Sequence, residues 1–260
     1  MECKNCQNIL QEQSDYCNIC GARVIRNRLT IKNLFQHFVE EFLNYDNRFL
    51  KTVRHLFTKP SEVIENYVNG TRKKYLNPMS FFAITLTLSG ISVLVLQKFY
   101  PNAIDFNNFF STNVSQEVMT KIMRVSLEYN SFLYSAMIPF FALMSFVVFW
   151  NKKYNLTEHI VMYLYTMSLL SLASIFIGQL CLFVRPDLYT TISPMIFILA
   201  FIYHSFLYKK LFKLSILQLS YKILLFIPAF LTFYLIFSIL LFILLMLTGS
   251  ISLQDFAPQN

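Results

Sequence analysis

Four cysteines near the amino terminus form the group whose type and spacing promise chemistry. Cys3-Lys4-Asn5-Cys6 and Cys17-Asn18-Ile19-Cys20 are two C-x2-C pairs separated by ten residues. At this spacing each pair can turn two thiolates toward one point, and the two pairs together supply the four ligands of a closed tetrahedral zinc site. Four protein ligands leave no position for water or substrate, so the expected Zn2+ is structural and not catalytic. A segment of about twenty residues cannot bury a useful core. Zinc binding, at about 10 to 16 kcal/mol in small peptides, would hold it together. Two structural disulfides are the alternative, and the sequence marks nothing for the oxidising compartments that favour them.

Other chemistries lack their residues. The chain has no H-E-x-x-H, P-loop, G-x-S-x-G or dinucleotide fingerprint. No carboxylate falls near the middle of an apolar run, where ion-coupled carriers and intramembrane proteases commonly need one. His159 and His204 sit at span edges and read as interfacial, satisfied histidines in preference to ion ligands. On these grounds the sequence supports no enzymatic function.

The elements that must carry the cysteines are set by composition. The chain has 260 residues, 55% hydrophobic and only 14% charged, with a net charge of +8 and a mean hydropathy of +0.48. Soluble domains carry about a quarter charged residues, so this is a mainly α, polytopic membrane protein with a small four-cysteine zinc ribbon at its amino terminus. The first residues are polar and contain no apolar signal core, so the amino terminus is expected to stay on the side where it is made.

Five charge-poor runs predict about five transmembrane helices: Met79 to Gln97, Ser131 to Trp150, Ile160 to Val184, Thr191 to Tyr208 and Ile223 to Thr248. The fourth is short, contains Pro194 and His204, and admits a re-entrant alternative. Of the 22 Lys and Arg residues, all but Lys98, Lys121, Arg124 and Arg185 fall on the same side in this scheme. Positive-inside bias then puts the head in the cytoplasm and the carboxyl terminus outside, in a bacterial inner membrane. The expected organisation is a ribbon over residues 1–28, amphipathic helices and a juxtamembrane joint over 29–78, a membrane domain over 79–248 and a polar tail over 249–260.

The joint runs from Pro60 to Pro78. Upstream, Thr30 as a cap and Ile31, Leu34, Phe35, Phe38, Phe42 and Tyr45 at three- and four-residue steps predict an aromatic-striped helix, with a second following Asp46. Pro60 and Glu62 suit a first helical turn, Gly70 a helix end, and Pro78 the start of the first span. Arg72, Lys73 and Lys74 read as a membrane-surface cluster worth about 1 kcal/mol per charge beside anionic lipid. Tyr67 and Tyr75 suit the headgroup level. The outer loop from Lys98 to Asn130 predicts an amphipathic helix capped by Ser115, and the connector from Lys209 to Lys222 is expected to rest on the opposite surface.

Together Phe49-x2-Thr52-x3-Leu56, Lys59-Pro60 and Tyr67-x2-Gly70-x-Arg72-x2-Tyr75-x-Asn77-Pro78, preceded by the cysteine pairs, resemble a bacterial family of zinc-ribbon-headed polytopic membrane proteins catalogued as domain of unknown function 3667. Ser61 departs from the glycine expected of that family, and Lys59 from its frequent arginine. The resemblance implies a membrane location and a ribbon, and no activity. Tyr67, Gly70, Tyr75, Asn77 and Pro78 are its structural joint residues.

Two small-residue faces, Ser171, Ser174, Gly178, Cys181 and Thr85, Ser89, Ser92, are read first as close helix packing and second as a pore lining. Three functions stay open. The preferred one is a scaffold or adaptor whose zinc-stabilised head docks a protein partner, with the bilayer as its other partner. The second is a small-solute channel or carrier, as a homo-oligomer in one form, with the ribbon as gate or assembly domain. The third, nucleic-acid tethering through Arg23, Arg26 and Arg28, is weakest because Glu2, Glu12 and Asp15 dilute the positive field.

Overall fold

Capping residues and prolines at the edges of charge-poor runs set where each helix begins. The computed structural model describes residues 2–11, 14–22, 24, 30, 48–101, 103, 127 and 129–247. The expected helix from Thr30 to Tyr45, the arginines at 23, 26 and 28, the outer-loop helix after Ser115 and the tail over 249–260 lie outside the described residues. Residues 1–47 and 48–260 form two units.

In the first unit the described residues contain no strand; an isolated antiparallel bridge joins Glu2 to Ile9. Its backbone repeats itself. Cys3 N–H donates to Asn8 O and Gln7 N–H to Cys3 O; Cys17 N–H donates to Ala22 O and Gly21 N–H to Cys17 O. The residue after the second cysteine of each pair is left-handed, Gln7 at φ 60° and Gly21 at φ 70°. Glycine takes that conformation without steric cost, whereas Gln7 pays for its Cβ.

The second unit is helical throughout its described elements. Helix α1 spans Arg48–Thr58 and α2 Pro60–Val68, with Pro60 at the first turn where its missing N–H costs nothing. Gly70, at φ 92°, makes the left-handed turn after α2 that a side chain would strain. Helix α3, Pro78–Phe99, begins where Asn77 accepts from Met79 N–H. Helix α4, Asn130–Val148, follows, and then α5, Leu156–Val184. Asn155 and Glu158 form a reciprocal capping box, which starts α5 four residues before the expected Ile160. Its 29 residues reach about 44 Å, beyond the roughly 30 Å hydrocarbon core.

After a short 3-10 turn, Pro186–Leu188, come α6, Tyr189–Ile192, and α7, Met195–Leu211. These lie where the fourth span was expected and make a pair bent by 43° where Pro194 interrupts the ladder, a shape that suits either a broken span or a re-entrant loop. Helix α8, Ile216–Leu247, starts seven residues before the expected Ile223, and the connector is therefore not a separate surface helix as expected. Ser215 and Gln218 cap each other's backbone N–H groups, so the helix begins inside the connector. Among the described residues four helices are long and apolar enough to cross a membrane, or five if the broken pair is one span.

Helices α3 and α5 make the most extensive pairing, and α4 and α7 pack on α5 as well. The small-residue faces lie at this seam: Thr85 is fully buried, and Gln179 Nε2 donates to Ser92 Oγ at 2.7 Å. Helix α8 leans on α4 through Phe140 against Phe233 and Phe237. Lys222 on α8 is buried and donates to Val148 O at 2.6 Å, satisfying a carbonyl at the end of α4.

Reporter fusions after Pro186 and Lys213 should report opposite sides of the membrane. A shared side would make the broken segment re-entrant and leave four crossings.

Candidate functional site

The four cysteine sulfurs converge. Their Sγ atoms all lie within 4.8 Å of one another, with Cys3 to Cys20 at 3.7 Å and Cys6 to Cys17 at 3.6 Å. A tetrahedral ion with metal–sulfur bonds of about 2.3 Å has sulfur–sulfur edges of about 3.8 Å. The observed spacings fit that cage, so these residues could hold a metal ion.

Hydrogen-bond donors tune the same sulfurs. The side chain of Asn5 and the backbone N–H of Ala22 lower the Cys20 thiol to about 6. The backbone N–H groups of Cys20 and Ile19 lower Cys17 below its ordinary value. Both effects favour the thiolate that a metal needs, while at Cys6, against a lowering backbone bond from Asn8, the bond to Cys20 and burial push the thiol up to about 12. Leu10 packs with Cys3 and Cys17 as a small core, while Ile9 at 76% and Ile19 at 70% exposure face outward.

The joint is a second organised site, built around the backbone N–H and C=O of Leu76. Its N–H donates to Thr52 Oγ1 of α1 at 2.9 Å, and its C=O accepts from Tyr165 Oη of α5 at 2.7 Å. Thr52 is wholly buried. Tyr203 of α7 donates to Leu56 O at 3.0 Å, near the end of α1. Around the clamp, Leu56, Val63, Ile64, Phe81 and Tyr165 share one apolar core.

A polar chain closes the joint. Lys74 Nζ donates to Glu62 Oε1 at 2.8 Å and Tyr75 Oη donates to the same oxygen at 3.2 Å. With its proton so placed, Tyr75 accepts from His55 Nδ1 at 2.8 Å. The Lys74 hydrogen bond holds the Glu62 carboxyl below its usual value, and Glu62 in turn raises Lys74. The sign follows: Glu62 adds stability above the ordinary carboxylate range, and this is lost as pH falls through its lowered value.

Two expectations change here. Tyr75 does not sit at the headgroup level but is 2% exposed inside the joint, because His55 and Glu62 satisfy its hydroxyl. Of the surface cluster, Lys74 is spent on Glu62, and Arg72 lies over the Tyr67 ring at 5.6 Å. Asn77 caps α3, and its Nδ2 reaches Tyr67 Oη at 3.4 Å.

Residues 46–90 match the family described as Protein of unknown function (DUF3667). The match bears out the resemblance carried by the joint residues. The DUF3667 segment covers α1, α2, the joint and the first half of α3, and both the cysteines and the later spans lie outside it. It brings no sign of an enzymatic activity. No curated protein and no solved structure matches the chain.

Between α3, α4, α5, α7 and α8 lies a half-open cavity of about 760 Å3. Both small-residue faces contribute, through Ser89, Ser92, Ser171, Ser174 and Gly178. None of the lining residues carries a formal charge. His204 enters the wall as a neutral ring, donating from Nδ1 to Ala200 O at 2.8 Å and accepting at Nε2 from Thr166 Oγ1 at 3.2 Å. His204 is thus satisfied as expected; His159 is not, since its buried Nε2 has no partner among the described residues.

Tyr165, Tyr203 and the pairing of Glu62 with Lys74 were not singled out by the sequence reading. A tyrosine inside a charge-free run needs a partner for its hydroxyl, and that signal points to the first two.

The clamp predicts a specific loss. Thr52→Val keeps the shape but strands the Leu76 N–H, costing about 1 to 3 kcal/mol. The detergent-solubilised protein should melt at lower temperature, whereas Thr58→Val, on an exposed hydroxyl, should change stability by no more than about 0.5 kcal/mol.

Proposed function

We propose that this is an integral protein of the bacterial cytoplasmic membrane, with a zinc-holding head in the cytoplasm and a helical domain that passes a small uncharged solute. The observation that carries the reading is the half-open cavity of about 760 Å3 among the spans, whose mostly apolar wall carries a few uncharged polar groups. Binding sites for small molecules occupy about 300 to 1,000 Å3 and combine apolar walls with a few placed polar groups. Serine hydroxyls and Asn130 offer donors and acceptors to hydroxyl- or amide-bearing solutes. A wall without formal charge offers nothing to offset the desolvation of an ion. The orientation rests on the loop distribution of Lys and Arg.

Zinc is the ion proposed for the head, because four thiolates at tetrahedral edges suit a closed structural zinc site. Iron binds the same ligand set, and metal analysis distinguishes them. Detergent-purified full-length protein should contain one zinc per chain, lost in the Cys17→Ser, Cys20→Ser double variant; iron, or oxidised cysteines without metal, would overturn the assignment.

A scaffold role is the second reading. It is favoured by Ile9, Tyr16 and Ile19, apolar and aromatic side chains exposed on the cysteine head. Single exposed apolar residues are ordinary on protein surfaces, so the cavity takes precedence.

Permeation tests the first reading directly. Proteoliposomes containing the full chain should take up glycerol or larger uncharged polyols faster than empty liposomes, by light scattering. Ser174→Trp, which fills the cavity, should return uptake to the empty-liposome rate. Equal rates for the wild-type protein and empty liposomes sink the solute reading.

A further inference from the structure

The half-open cavity has its mouth on the side of α7 and α8. Its exposed lining residues are Phe197 and Phe201 of α7, Ile227, Phe230 and Leu231 of α8, and Ser174 of α5. Phe197 is 76% exposed and Leu231 60%. Helices α7 and α8 meet near their shared connector, where Tyr208 stacks on Phe226 with ring centroids 5.4 Å apart. Farther along, α8 turns its rings to α4, with Phe233 and Phe237 both meeting Phe140. Phe230 stacks on Tyr234 of its own helix. The gap between α7 and α8 is therefore rimmed by exposed apolar side chains. Phe230 and Leu231 stand midway along α8, Ile216–Leu247. A spanning helix of that length holds its middle in hydrocarbon, so the gap opens on acyl chains and not on water.

The polar groups of the wall come from other helices. Ser89 Oγ accepts from Asn130 Nδ2 at 3.3 Å, and Ser92 Oγ accepts from Gln179 Nε2 at 2.7 Å. The two serines are three residues apart on α3 and share a face. Each has its oxygen engaged and keeps a hydroxyl proton that meets no acceptor among the described residues. The cavity thus joins an apolar mouth in the hydrocarbon to two hydroxyl donors inside.

From this arrangement we infer that the solute of the cavity is an uncharged amphiphile, one hydrocarbon chain with a hydroxyl- and ester-bearing head, which enters from the bilayer between α7 and α8. The inference rests on the cavity being a solute site, and it names the solute class and its way in. The head's ester or hydroxyl oxygens accept from Ser89 and Ser92, and its hydroxyls donate to Asn130 Oδ1. The chain lies along Phe201, Ile227 and Phe230 toward the mouth.

Two other occupants from the bilayer fit less well. A phospholipid brings a charged phosphate to a wall that has no charge to meet it. A bare acyl chain or alkane leaves both serine protons without an acceptor, and an unmade hydrogen bond in a dry site is costly. The volume of about 760 Å3 lies in the range that holds one drug-sized molecule, which suits one chain and a small head.

The test uses the full-length protein in phosphatidylcholine liposomes with a monoacylglycerol that carries a photoreactive diazirine in its chain. Labelling should saturate and map to residues 197–201 of α7 and 227–231 of α8. Unlabelled monoolein should compete for it, whereas phosphatidylglycerol and hexadecane at the same mole fraction should not. Ser89→Ala with Ser92→Ala should weaken the binding about tenfold, the worth of two hydrogen bonds. Ser174→Trp should abolish saturable labelling. Equal competition by hexadecane or phosphatidylglycerol on the wild-type protein, or labelling that never saturates, reduces the mouth to ordinary lipid contact and overturns the inference, whatever the variants do. Polyol uptake by the same preparations separates the two readings. Polyol flux without saturable labelling discards the amphiphile and leaves the solute reading standing; saturable labelling without polyol flux keeps the amphiphile site and discards polyol passage.

Discussion

A peptide group that enters a bilayer must have both its N–H and its C=O satisfied, because the hydrocarbon offers no replacement for water. In this protein the critical pair is the N–H and C=O of Leu76, which belong to the two successive peptide groups just before the cap of α3. Thr52 takes its N–H from one side and Tyr165 meets its C=O from the other. That arrangement fixes α1 and α5 against the start of the first span. Once those helices are fixed, Tyr203 can reach Leu56 O, and Glu62, Tyr75, His55 and Lys74 can close around one another.

The dependence explains which residues carry the family signature. Thr52 holds the clamp, Leu56 fills the core beneath it and Pro60 starts α2. Tyr67 packs edge-on against Tyr165, Gly70 makes the left-handed turn, and Asn77 and Pro78 open α3. All of these were legible as a spacing pattern, because caps, prolines and positive φ impose local rules that a sequence displays. Tyr75 was misplaced for a related reason. A tyrosine next to a basic cluster looks interfacial, and only the fold shows that a histidine and a carboxylate from two other helices satisfy its hydroxyl.

The spans were legible in number and less so at their ends. Apolar runs mark where a helix can cross, yet α5 and α8 both begin several residues earlier than those runs, at polar caps the hydropathy pattern ignores. Lys222 sits in what reads as a charged surface connector, but its stem lies inside and its ammonium satisfies the end of α4. A long flexible cation can bury its carbons while its charge finds a carbonyl. The convergence of the four cysteines was legible in their spacing, although the resemblance between the two turns lies in the backbone: Gln7 and Gly21 share a conformation and little chemistry.

Formal charge is arranged in a way that bears on both proposals. Lys152 and Lys222 sit at the end of the bundle with their ammoniums on carbonyls, and the cavity wall holds hydroxyls, an amide and a neutral imidazole. An uncharged solute can cross such an interior without leaving an unpaired ion behind, while a permanent carboxylate there would need a partner the wall does not supply.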